Sequence, residues 1–278
     1  MPELPEVEVI RRELAPLVCG KEFAAPVIHF PGAVHYPALE LFRRLLPGRF
    51  IGELGRRGKY LLFLLDRGML LAHLRMTGRL IYRPAGAAGD LPLPPRHLRL
   101  ELPFADGGAL YFYDSRKFGG FWLLEHPGEW EGAGLPSLGP DIWEEVDEAS
   151  FLALLQARPR ARIKPLLLDQ GFVAGMGNIY TDESLFRSGI HPCRRVSSLT
   201  EEERRRLYRA IREVLAEGIA CGGTTTRDYL DARGAAGSFQ ERLAVYGCKG
   251  EPCPCCGRPV ERTVTAGRGT YFCPHCQS

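Results

Sequence analysis

The first eight residues of the chain, MPELPEVE, combine the residue types needed for chemistry at a free amino terminus. Met1 precedes the small residue Pro2, a pairing from which the initiator methionine is commonly removed, and Pro2 would then carry a secondary amine. Amino termini titrate near ~7.7–8.0, below the ~10.4 of lysine, so part of this amine is nucleophilic at neutral pH. Attack on a sugar carbon would give an electron-accepting iminium, with the adjacent Glu3 as general acid or base. The alternative is an ordinary helix start, where proline and acidic residues are common.

Two cysteine pairs near the C-terminus have the spacing of a metal site. CPCCG and CPHC give Cys-x2-Cys, sixteen residues, Cys-x2-Cys, which is typical of a structural zinc ion held by four thiolates. The predicted ligands of this one zinc ion are Cys253, Cys256, Cys273 and Cys276. Cys255 and His275 fall outside the frame. The intervening PVERTVTAGRGTYF predicts a strand, a turn and a strand with Arg268 at the tip, so the metal would fold a hairpin without an open catalytic position.

A third segment, residues 170–186, has the pattern of a phosphate site. Its sequence, QGFVAGMGNIYTDESLF, places two glycines and Asn178 just before a predicted helix. Exposed backbone N–H groups and a small amide at a helix start can hold a phosphate. An ordinary helix cap explains Asn178 equally well from this segment alone.

Two predicted turns carry side chains suited to a DNA base stack. DSRKFGG, residues 114–120, presents Arg116 and Phe118 between strands, and such a basic and aromatic tip can insert between bases. A surface hairpin with an incidental phenylalanine is the more common interpretation of that segment alone. Met76, in HLRMTG at another strand end, would alone be interpreted as a core residue.

The elements that position these residues change type along the chain. Apolar residues at helical spacing predict an amphipathic helix over 5–18, which would anchor the chain start against a core. A strand is predicted over 22–30 and a short helix over 39–46. From there to about residue 125 the pattern is that of short antiparallel strands, with a Pro/Ala/Gly loop over 84–95.

The second half of the chain is predicted to be helical after a Gly- and Pro-rich hinge. We divide the sequence into a β domain over 1–125, a linker over 126–145, a helical domain over 146–240 and a zinc-binding hairpin over 241–278. Thr200 and Glu203 form a predicted capping box. The following RRRLYRAIR is interpreted as a charge-paired helix face rather than a DNA patch, because three glutamates precede it.

The composition restricts the class of protein. A chain of 278 residues with 45% hydrophobic and 25% charged residues is typical of a soluble two-domain protein. There is no basic, apolar leader and no run of about 18 apolar residues, which favours an intracellular protein that does not span a membrane. Six of the nine cysteines lie between residues 248 and 278, which favours metal over disulfides. The net charge of +3 is compatible with a nucleic-acid partner but does not argue strongly for one.

In order and spacing, these segments together resemble the formamidopyrimidine-DNA glycosylases of bacteria. The resemblance covers the whole chain and depends on six motifs: MPELPEVE, RRGKY with Lys59, HLRMTG, DSRKFGG, GMGNIYTDE and the tetracysteine finger. It implies an α+β fold with an N-terminal antiparallel β-sandwich and flanking helices. The C-terminal helical domain would contain a helix-two-turn-helix and the β-hairpin zinc finger, with DNA in the cleft between the domains.

The resemblance also implies a reaction. A bifunctional DNA glycosylase and apurinic/apyrimidinic lyase would flip an oxidised purine, such as 8-oxoguanine or a formamidopyrimidine, out of the duplex. Pro2 would attack the anomeric carbon through a Schiff base, and Glu3 would supply protons. Lys59 would be the proton donor in β-elimination and Arg268 in δ-elimination.

The family pattern assigns DNA contacts residue by residue. Asn178 and Arg268 would bind the phosphates beside the flipped nucleotide, whereas Met76, Arg116 and Phe118 would fill the gap in the stack. The further candidates for DNA contacts are His97, Arg160, Lys164 and His73. Lys117 departs from the arginine that is frequent in relatives, and the Gly/Ala-rich segment 226–242 is expected to be a mobile loop over the lesion.

We expect a monomer in the bacterial cytoplasm, associated with the nucleoid through double-stranded DNA that contains oxidised bases or abasic sites. A damage-binding protein of the same fold without chemistry is one alternative, and the combination of Pro2, Glu3 and Lys59 argues for the enzyme. An endonuclease VIII-like enzyme for oxidised pyrimidines is another, and PELPEVE with the Met/Arg/Phe set argues against it. The sequence does not reveal which lesion is preferred.

Overall fold

The structure is a computed structural model that describes residues 1–87, 93–225 and 229–278. Its α-helices are α1 (Leu4–Val18), α2 (Leu39–Leu45), α3 (Glu148–Gln156), α4 (Ile163–Leu168), α5 (Asn178–Arg187) and α6 (Glu201–Ala220). Its strands are β1 (Val27–Ile28), β2 (Val34–Tyr36), β3 (Ile51–Arg57), β4 (Tyr60–Leu65), β5 (Met69–His73), β6 (Gly78–Arg83), β7 (Leu98–Pro103), β8 (Ala109–Asp114), β9 (Gly120–Leu124), β10 (Glu261–Thr265) and β11 (Arg268–Phe272). This mixture of helices and open sheets confirms the predicted α+β class.

The chain forms two compact units. The first comprises Met1–Pro136 and Cys221–Ser238, and the second comprises Ser137–Ala220 and Phe239–Ser278. The segment Cys221–Ser238 therefore lies in the first unit, although its neighbours in sequence on both sides lie in the second.

Two sheets build the first unit. One has the strand order β1-β7-β8-β6 and the other β2-β9-β5-β4-β3. Apolar side chains from both sheets share one core, in which the rings of Phe112 and Phe121 meet edge to face at 5.1 Å. The ends of β5 and β8 and the turn between β3 and β4 carry most of the predicted site residues of this unit.

The predicted strand over 22–30 is wrong in extent. Only Val27–Ile28 forms a strand there, while Glu22 and Phe23 make isolated bridges to Phe50 and Phe104. Pro26 lies between these pieces and has no N–H to donate, so a continuous ladder of hydrogen bonds cannot run through it.

Helix α1 is fixed to the sheet that contains β3 by a buried carboxylate as well as by its apolar face. Val7, Ile10 and Leu14 are buried at helical spacing, as predicted. Glu8 is also buried and receives charged donors from Arg11, Arg12 and the β3 residue Arg56, at 2.7, 2.6 and 3.2 Å. Burial raises the pKa of Glu8, but these guanidinium groups outweigh it and hold that pKa at about 2.

The second unit is a helical domain joined to a hairpin. Thr200 and Glu203 form the predicted capping box before α6, with N···O distances of 2.7 and 3.2 Å. Arg205 pairs with Glu201 and Glu148, which confirms the charge-paired face of this helix. Strands β10 and β11 pair antiparallel from Glu261 and Phe272 to Thr265 and Arg268. Among the residues that the structure describes, no helix combines the length and apolar character needed to cross a bilayer.

The Glu8 cluster predicts a pH-dependent contribution to stability. Glu8→Gln should lower the free energy of unfolding at pH 7 by about 2–3 kcal/mol, since it leaves buried guanidinium charge without its carboxylate. The folded pKa lies below the ordinary value of 4.5, so the wild-type advantage should exist above that pH and shrink as pH falls towards about 2. Denaturant unfolding of both proteins across this range measures the difference.

Glu40→Gln is the matched control, because Glu40 forms an exposed pair with Arg43 at 3.6 Å. It should change the free energy of unfolding by less than about 0.5 kcal/mol at any pH. Equal stability of Glu8→Gln and the wild type at pH 7 would contradict the assignment.

Candidate functional site

The start of the chain is held by hydrogen bonds at the N-terminus of α1. Pro2 is buried, while Met1 is 43% exposed. Glu3 is the N-cap residue of the helix and is itself buried, with its N–H donating to Glu6 Oε2 at 2.7 Å. Pro2 and Glu3 therefore lie at a well-ordered helix N-terminus and not at a frayed chain end.

Glu6 also holds a segment that is distant in sequence. Its second carboxylate oxygen accepts the N–H of Thr224 at 2.7 Å, and its carbonyl accepts the hydroxyl of Tyr229 at 3.4 Å. Glu6 is not among the site residues predicted from the sequence. Its position three residues after Glu3 indicates a capping box, but nothing local indicates the bond to Thr224. Part of the predicted loop 226–242, residues 226–228, lies outside the described residues.

Lys59 lies in a two-residue turn at the end of a sheet. The register pairs Arg57 with Tyr60, which leaves Gly58 and Lys59 as the central turn residues. Gly58 has φ +57°, a conformation that glycine adopts without steric cost, and its carbonyl accepts an N–H of Arg56 at 3.0 Å. Lys59 is only 7% exposed. A tight turn therefore places an ammonium group in a largely buried position.

His73 lies inside the protein, next to Lys59. Its ring meets that of Tyr60 edge to face at 4.4 Å, and its Nδ1 accepts the N–H of Arg75 at 2.9 Å. Burial, followed by the positive charges of Arg75 and Lys59, lowers the pKa of His73 to about 3. A neutral His73 thus supports the turn that follows β5, and only 6% of its surface is exposed.

Two neighbouring turns present the remaining residues of the predicted Met/Arg/Phe set. Met76 is 39% exposed and Phe118 is 53% exposed, which makes them two of the most exposed large apolar side chains described. The guanidinium of Arg116 lies 4.9 Å from the ring centroid of Phe118, within cation–π distance. The Thr77 hydroxyl, beside Met76, donates to Asp114, which begins the other turn. The structure therefore joins the turn that carries Met76 to the turn that carries Arg116 and Phe118, which lies about 40 residues later in the sequence.

His97 precedes β7 and is half-buried. Its Nε2 accepts an N–H of Arg96 at 3.3 Å, whereas its Nδ1 is buried without a hydrogen-bond partner among the residues that the structure describes. A buried ring nitrogen of this kind can accept or donate a bond to a ligand.

In the second unit, Asn178 is the first residue of α5 and Arg268 is the first residue of β11. Asn178 Nδ2 donates to the carbonyl of Gly269 at 2.9 Å, so the amide lies one residue from Arg268 along the hairpin. The tip itself consists of Ala266 and Gly267, both with positive φ, as in a type I′ turn. Arg268 follows this tip and is exposed.

Lys164 is fully buried in this unit. Its Nζ donates to the same carbonyl of Gly269 at 2.9 Å and forms an ion pair with Asp182 at 2.6 Å. The other oxygen of Asp182 accepts the N–H of Tyr271 at 3.0 Å. The ammonium of Lys164 therefore contacts protein groups that fix β11. Arg160, by contrast, is exposed in the loop between α3 and α4.

Glu183 holds the segment that leads into the metal-binding module. Its carboxylate accepts the N–H groups of Ala244, Val245 and Tyr246 at 2.9, 3.0 and 2.8 Å. Asp182 and Glu183 are thus adjacent buried acids of α5 that bind two different parts of the module. Neither acid is among the site residues predicted from the sequence. The only local signal is a pair of acids on the buried part of a helix.

The four predicted metal ligands converge. One sulfur from each of Cys253, Cys256, Cys273 and Cys276 lies within 4.8 Å of the others. The Sγ–Sγ distances are 3.8 Å for Cys253 and Cys276 and 3.5 Å for Cys256 and Cys273. A tetrahedron with Zn–S bonds of about 2.3 Å has edges of about 3.8 Å, so this donor set fits zinc. Cys255 and His275 are exposed and lie outside the cluster.

Three family models match successive parts of the chain. They are the formamidopyrimidine-DNA glycosylase N-terminal domain over residues 1–121, the H2TH domain of the same enzymes over 138–229, and the zinc finger found in FPG and IleRS over 250–278. These matches confirm the predicted helix-two-turn-helix and zinc finger, and with the four cysteines they confirm a structural zinc site.

Relatives are similar over the full length. A formamidopyrimidine-DNA glycosylase of Pelotomaculum thermopropionicum is 45% identical, over 100% of this chain and 99% of the relative. The crystal structure of MutM (Fpg) from Thermus thermophilus has 47% identity and a TM-score of 0.85, covering 99% of this chain and 98% of that one. A variant Lactococcus lactis Fpg, solved with DNA that contains Fapy-dG, has 37% identity and a TM-score of 0.86, with 99% coverage of both chains. The chain therefore belongs to the formamidopyrimidine-DNA glycosylase family, whose members are DNA glycosylases with AP lyase activity.

Proposed function

We propose that this enzyme flips oxidised purines, namely 8-oxoguanine and formamidopyrimidines, out of duplex DNA and excises them through a Schiff base on Pro2. Strand cutting by β,δ-elimination follows, and the enzyme acts in the bacterial cytoplasm. The observation that carries the proposal is the fixed chain start, where Glu3 and Glu6 are bonded and Pro2 is buried. The Lactococcus lactis relatives, solved with Fapy-dG DNA and with abasic DNA, support this substrate class.

The first step requires the amine of Pro2. Met1 is exposed, which suits its removal, and its loss leaves a secondary amine at the start of a rigid helix. The nitrogen forms a bond to the anomeric carbon while the bond to the base breaks, and Glu3 provides the proton that leaves with the base. The Glu3 carboxylate then takes the proton of the amine and passes it to the ring oxygen as the sugar ring opens. The product is an iminium, which can lose a proton from the neighbouring carbon and expel the 3′ phosphate.

Lys59 and Arg268 are the proposed proton donors of the two eliminations. Lys59 is suited to this because the tight turn holds its ammonium group in a largely buried, fixed position. Arg268 follows the hairpin tip and is exposed to an incoming phosphate. Asn178, at the start of α5, would bind the same phosphates through its amide and the helix N-terminus.

The proposed roles of the four further candidates for DNA contacts depend on the solvent exposure of their side chains. His97 and Arg160 are proposed to contact DNA directly, because His97 has an unbonded ring nitrogen among the described residues and Arg160 is exposed. Lys164 and His73 are buried and bonded within the protein. We assign them indirect roles: Lys164 positions the hairpin that bears Arg268, and His73 positions the turn that bears Met76.

The exposed Met76, Arg116 and Phe118 are proposed to fill the gap that the flipped nucleotide leaves. Arg116 is the candidate that reads the orphaned partner base. Its guanidinium can donate two hydrogen bonds to the acceptor-rich edge of cytosine, whereas adenine presents an acceptor and a donor there. Excision opposite cytosine would thereby be favoured over excision opposite adenine.

The Schiff base is tested by blocking the amine. An uncleaved N-terminal tag should lower borohydride trapping on an abasic duplex by about 100-fold or more, because the nucleophile is then an amide. The melting temperature and zinc content should not change. Proteolytic release of the tag to regenerate Pro2 as the first residue is the matched control and should restore trapping. Full trapping by the tagged protein would move the nucleophile to a lysine, with Lys59 as the first candidate.

Substitution of Glu3 should impair base release but not strand cutting. Glu3→Gln should slow excision of 8-oxoguanine by about 10²-fold or more, the usual contribution of a general acid, because the base can no longer leave with a delivered proton. Cleavage at a preformed abasic site should persist, since the amine can attack a sugar that is already open. Single-turnover assays on both duplexes measure this. Equal loss of the two activities would point to another acid or to a folding defect.

Loss of zinc from the finger should also weaken DNA binding. Cys273→Ser should lose zinc and weaken binding of lesion DNA together, because the metal folds the hairpin that carries Arg268. Metal analysis and DNA titration at fixed salt measure both. Cys255→Ser and His275→Ala are the controls and should retain about one zinc per chain, as expected for non-ligands. A metal-free Cys273→Ser protein that binds and cuts normally would refute the link.

A further inference from the structure

One buried carboxylate connects the two turns that carry the Met76, Arg116 and Phe118 side chains. Asp114 ends β8 and is 1% exposed. Its Oδ1 accepts the hydroxyl of Thr77 and the N–H of Arg116, the latter at 3.1 Å. Its Oδ2 accepts the N–H groups of Phe118 and Gly119, both at 2.8 Å. Four donors from two separate turns therefore share one side chain.

The two turns also touch backbone to backbone. A Cβ added to Gly119 would lie 2.8 Å from the carbonyl oxygen of His73 and 3.1 Å from that of Leu74. Only glycine permits this approach without movement of the other turn. Displacement of either turn would therefore displace its neighbour.

The backbone at these turns needs external support. Arg75 has φ +52° and Lys117 has φ +61°, both in the left-handed region that residues with a Cβ seldom occupy. Arg75 is supported by His73 Nδ1, and Lys117 lies between two residues whose N–H groups bond to Asp114. Without these acceptors, each turn could relax to an ordinary conformation and turn its exposed side chain elsewhere.

Rigidity matters here because the exposed side chains act on a base stack. A wedge of inserted side chains that becomes ordered only when DNA binds loses conformational entropy at that moment, whereas a wedge that is already fixed in the free protein does not. A fixed donor geometry is also required for Arg116 to distinguish cytosine from adenine, since a mobile guanidinium could satisfy either edge. The carboxylate suits this function because it only accepts hydrogen bonds, and all four of its neighbours donate.

We propose that Asp114 is a positioning residue that fixes Met76, Arg116 and Phe118 as one preorganised wedge and so sets the choice of partner base. This inference depends on the proposed function of that wedge. Asp114 does not itself contact DNA, and Thr77 is its link to the second turn. The chemistry at Pro2 does not depend on it.

Asp114→Asn tests the proposal. An amide must direct its NH₂ group at one of the two pairs of donors. The Thr77 hydroxyl can reverse to accept a hydrogen bond but a backbone N–H cannot, so at least one of the three backbone N–H bonds is lost. Single-turnover excision of 8-oxoguanine opposite cytosine should slow by about ten-fold, and the cytosine-over-adenine ratio should narrow by a similar factor. Borohydride trapping at a preformed abasic site should stay within about two-fold of wild type, because it does not require the enzyme to extrude a base.

A milder pair of variants guards against misfolding of Asp114→Asn. Thr77→Val removes the hydroxyl that bridges the turns and should reproduce part of the fall in the cytosine-over-adenine excision ratio. Thr77→Ser retains the hydroxyl and should match the wild type. Asp66→Asn is the matched control, since Asp66 Oδ1 accepts the N–H of Phe50 at 3.0 Å near a different turn. It should leave the excision rate and the ratio unchanged.

Arg116→Ala and Phe118→Ala, measured in parallel, distinguish a failure of the proposed wedge function from a failure of the positioning role of Asp114. If neither variant alters excision or the ratio, the proposed function of the wedge is wrong. If they do, and Asp114→Asn and Thr77→Val retain the wild-type ratio, the positioning function of Asp114 is wrong. Equal loss of excision and abasic-site trapping in Asp114→Asn would also overturn it, since that outcome indicates a general structural role.

Discussion

A buried backbone N–H group must find an acceptor, and in this protein buried carboxylates provide several of them. Glu6 accepts the N–H groups of Glu3 and Thr224, and Asp114 accepts those of Arg116, Phe118 and Gly119. Glu183 accepts three in succession from the segment before the zinc finger. Turns and termini have no strand or helix ladder to satisfy these donors, and an unsatisfied buried donor costs about 1–3 kcal/mol. Glu6 and Asp114 therefore fix segments that carry candidate site residues, and Glu183 fixes the segment that leads into the zinc finger.

Charge alone does not explain why acids occupy these positions. Burial raises the pKa of Glu183, and its three N–H donors together with Arg187 oppose the shift only in part. Because the folded pKa is above the ordinary value, ionisation of Glu183 lowers the stability of the folded state at neutral pH. Its contribution is geometric, since one side chain with two oxygens can fix three consecutive N–H groups that an apolar residue would leave unsatisfied. Glu8 is the contrasting case, because its arginine partners lower its pKa and make its charge stabilising.

The sequence predicts the local features of this protein well. Helix α1 follows from apolar spacing, the capping box at Thr200 and Glu203 from its two residue types, and the zinc cluster from two Cys-x2-Cys pairs. Contacts between distant segments could not be predicted in this way. Nothing near Glu6 indicates a bond to Thr224, which lies 218 residues later. The family pattern suggested DNA contacts for Lys164 and His73, but it could not show that both side chains are buried and bonded inside the protein, because a motif specifies a position in sequence and not a side-chain direction.

The use of carboxylates as fixing groups has a consequence for a protein whose family acts on DNA. An arginine or lysine in the place of Asp114 could accept none of the four hydrogen bonds, and it would itself be attracted to phosphate when DNA binds. A buried carboxylate whose oxygens are already occupied by N–H and O–H donors has no such competing partner, and its charge is offset by those donors. Asp114 can therefore hold Arg116 without competing with it for an anionic ligand. The same argument applies to Asp182, whose oxygens are engaged by Lys164 and Tyr271 and which helps to fix the strand that begins with Arg268. In the first unit, a carboxylate thus fixes the backbone of Arg116 and leaves this exposed arginine available for a ligand. In the second unit, Asp182 acts together with its buried partner Lys164, which donates to the carbonyl of Gly269 next to the exposed Arg268.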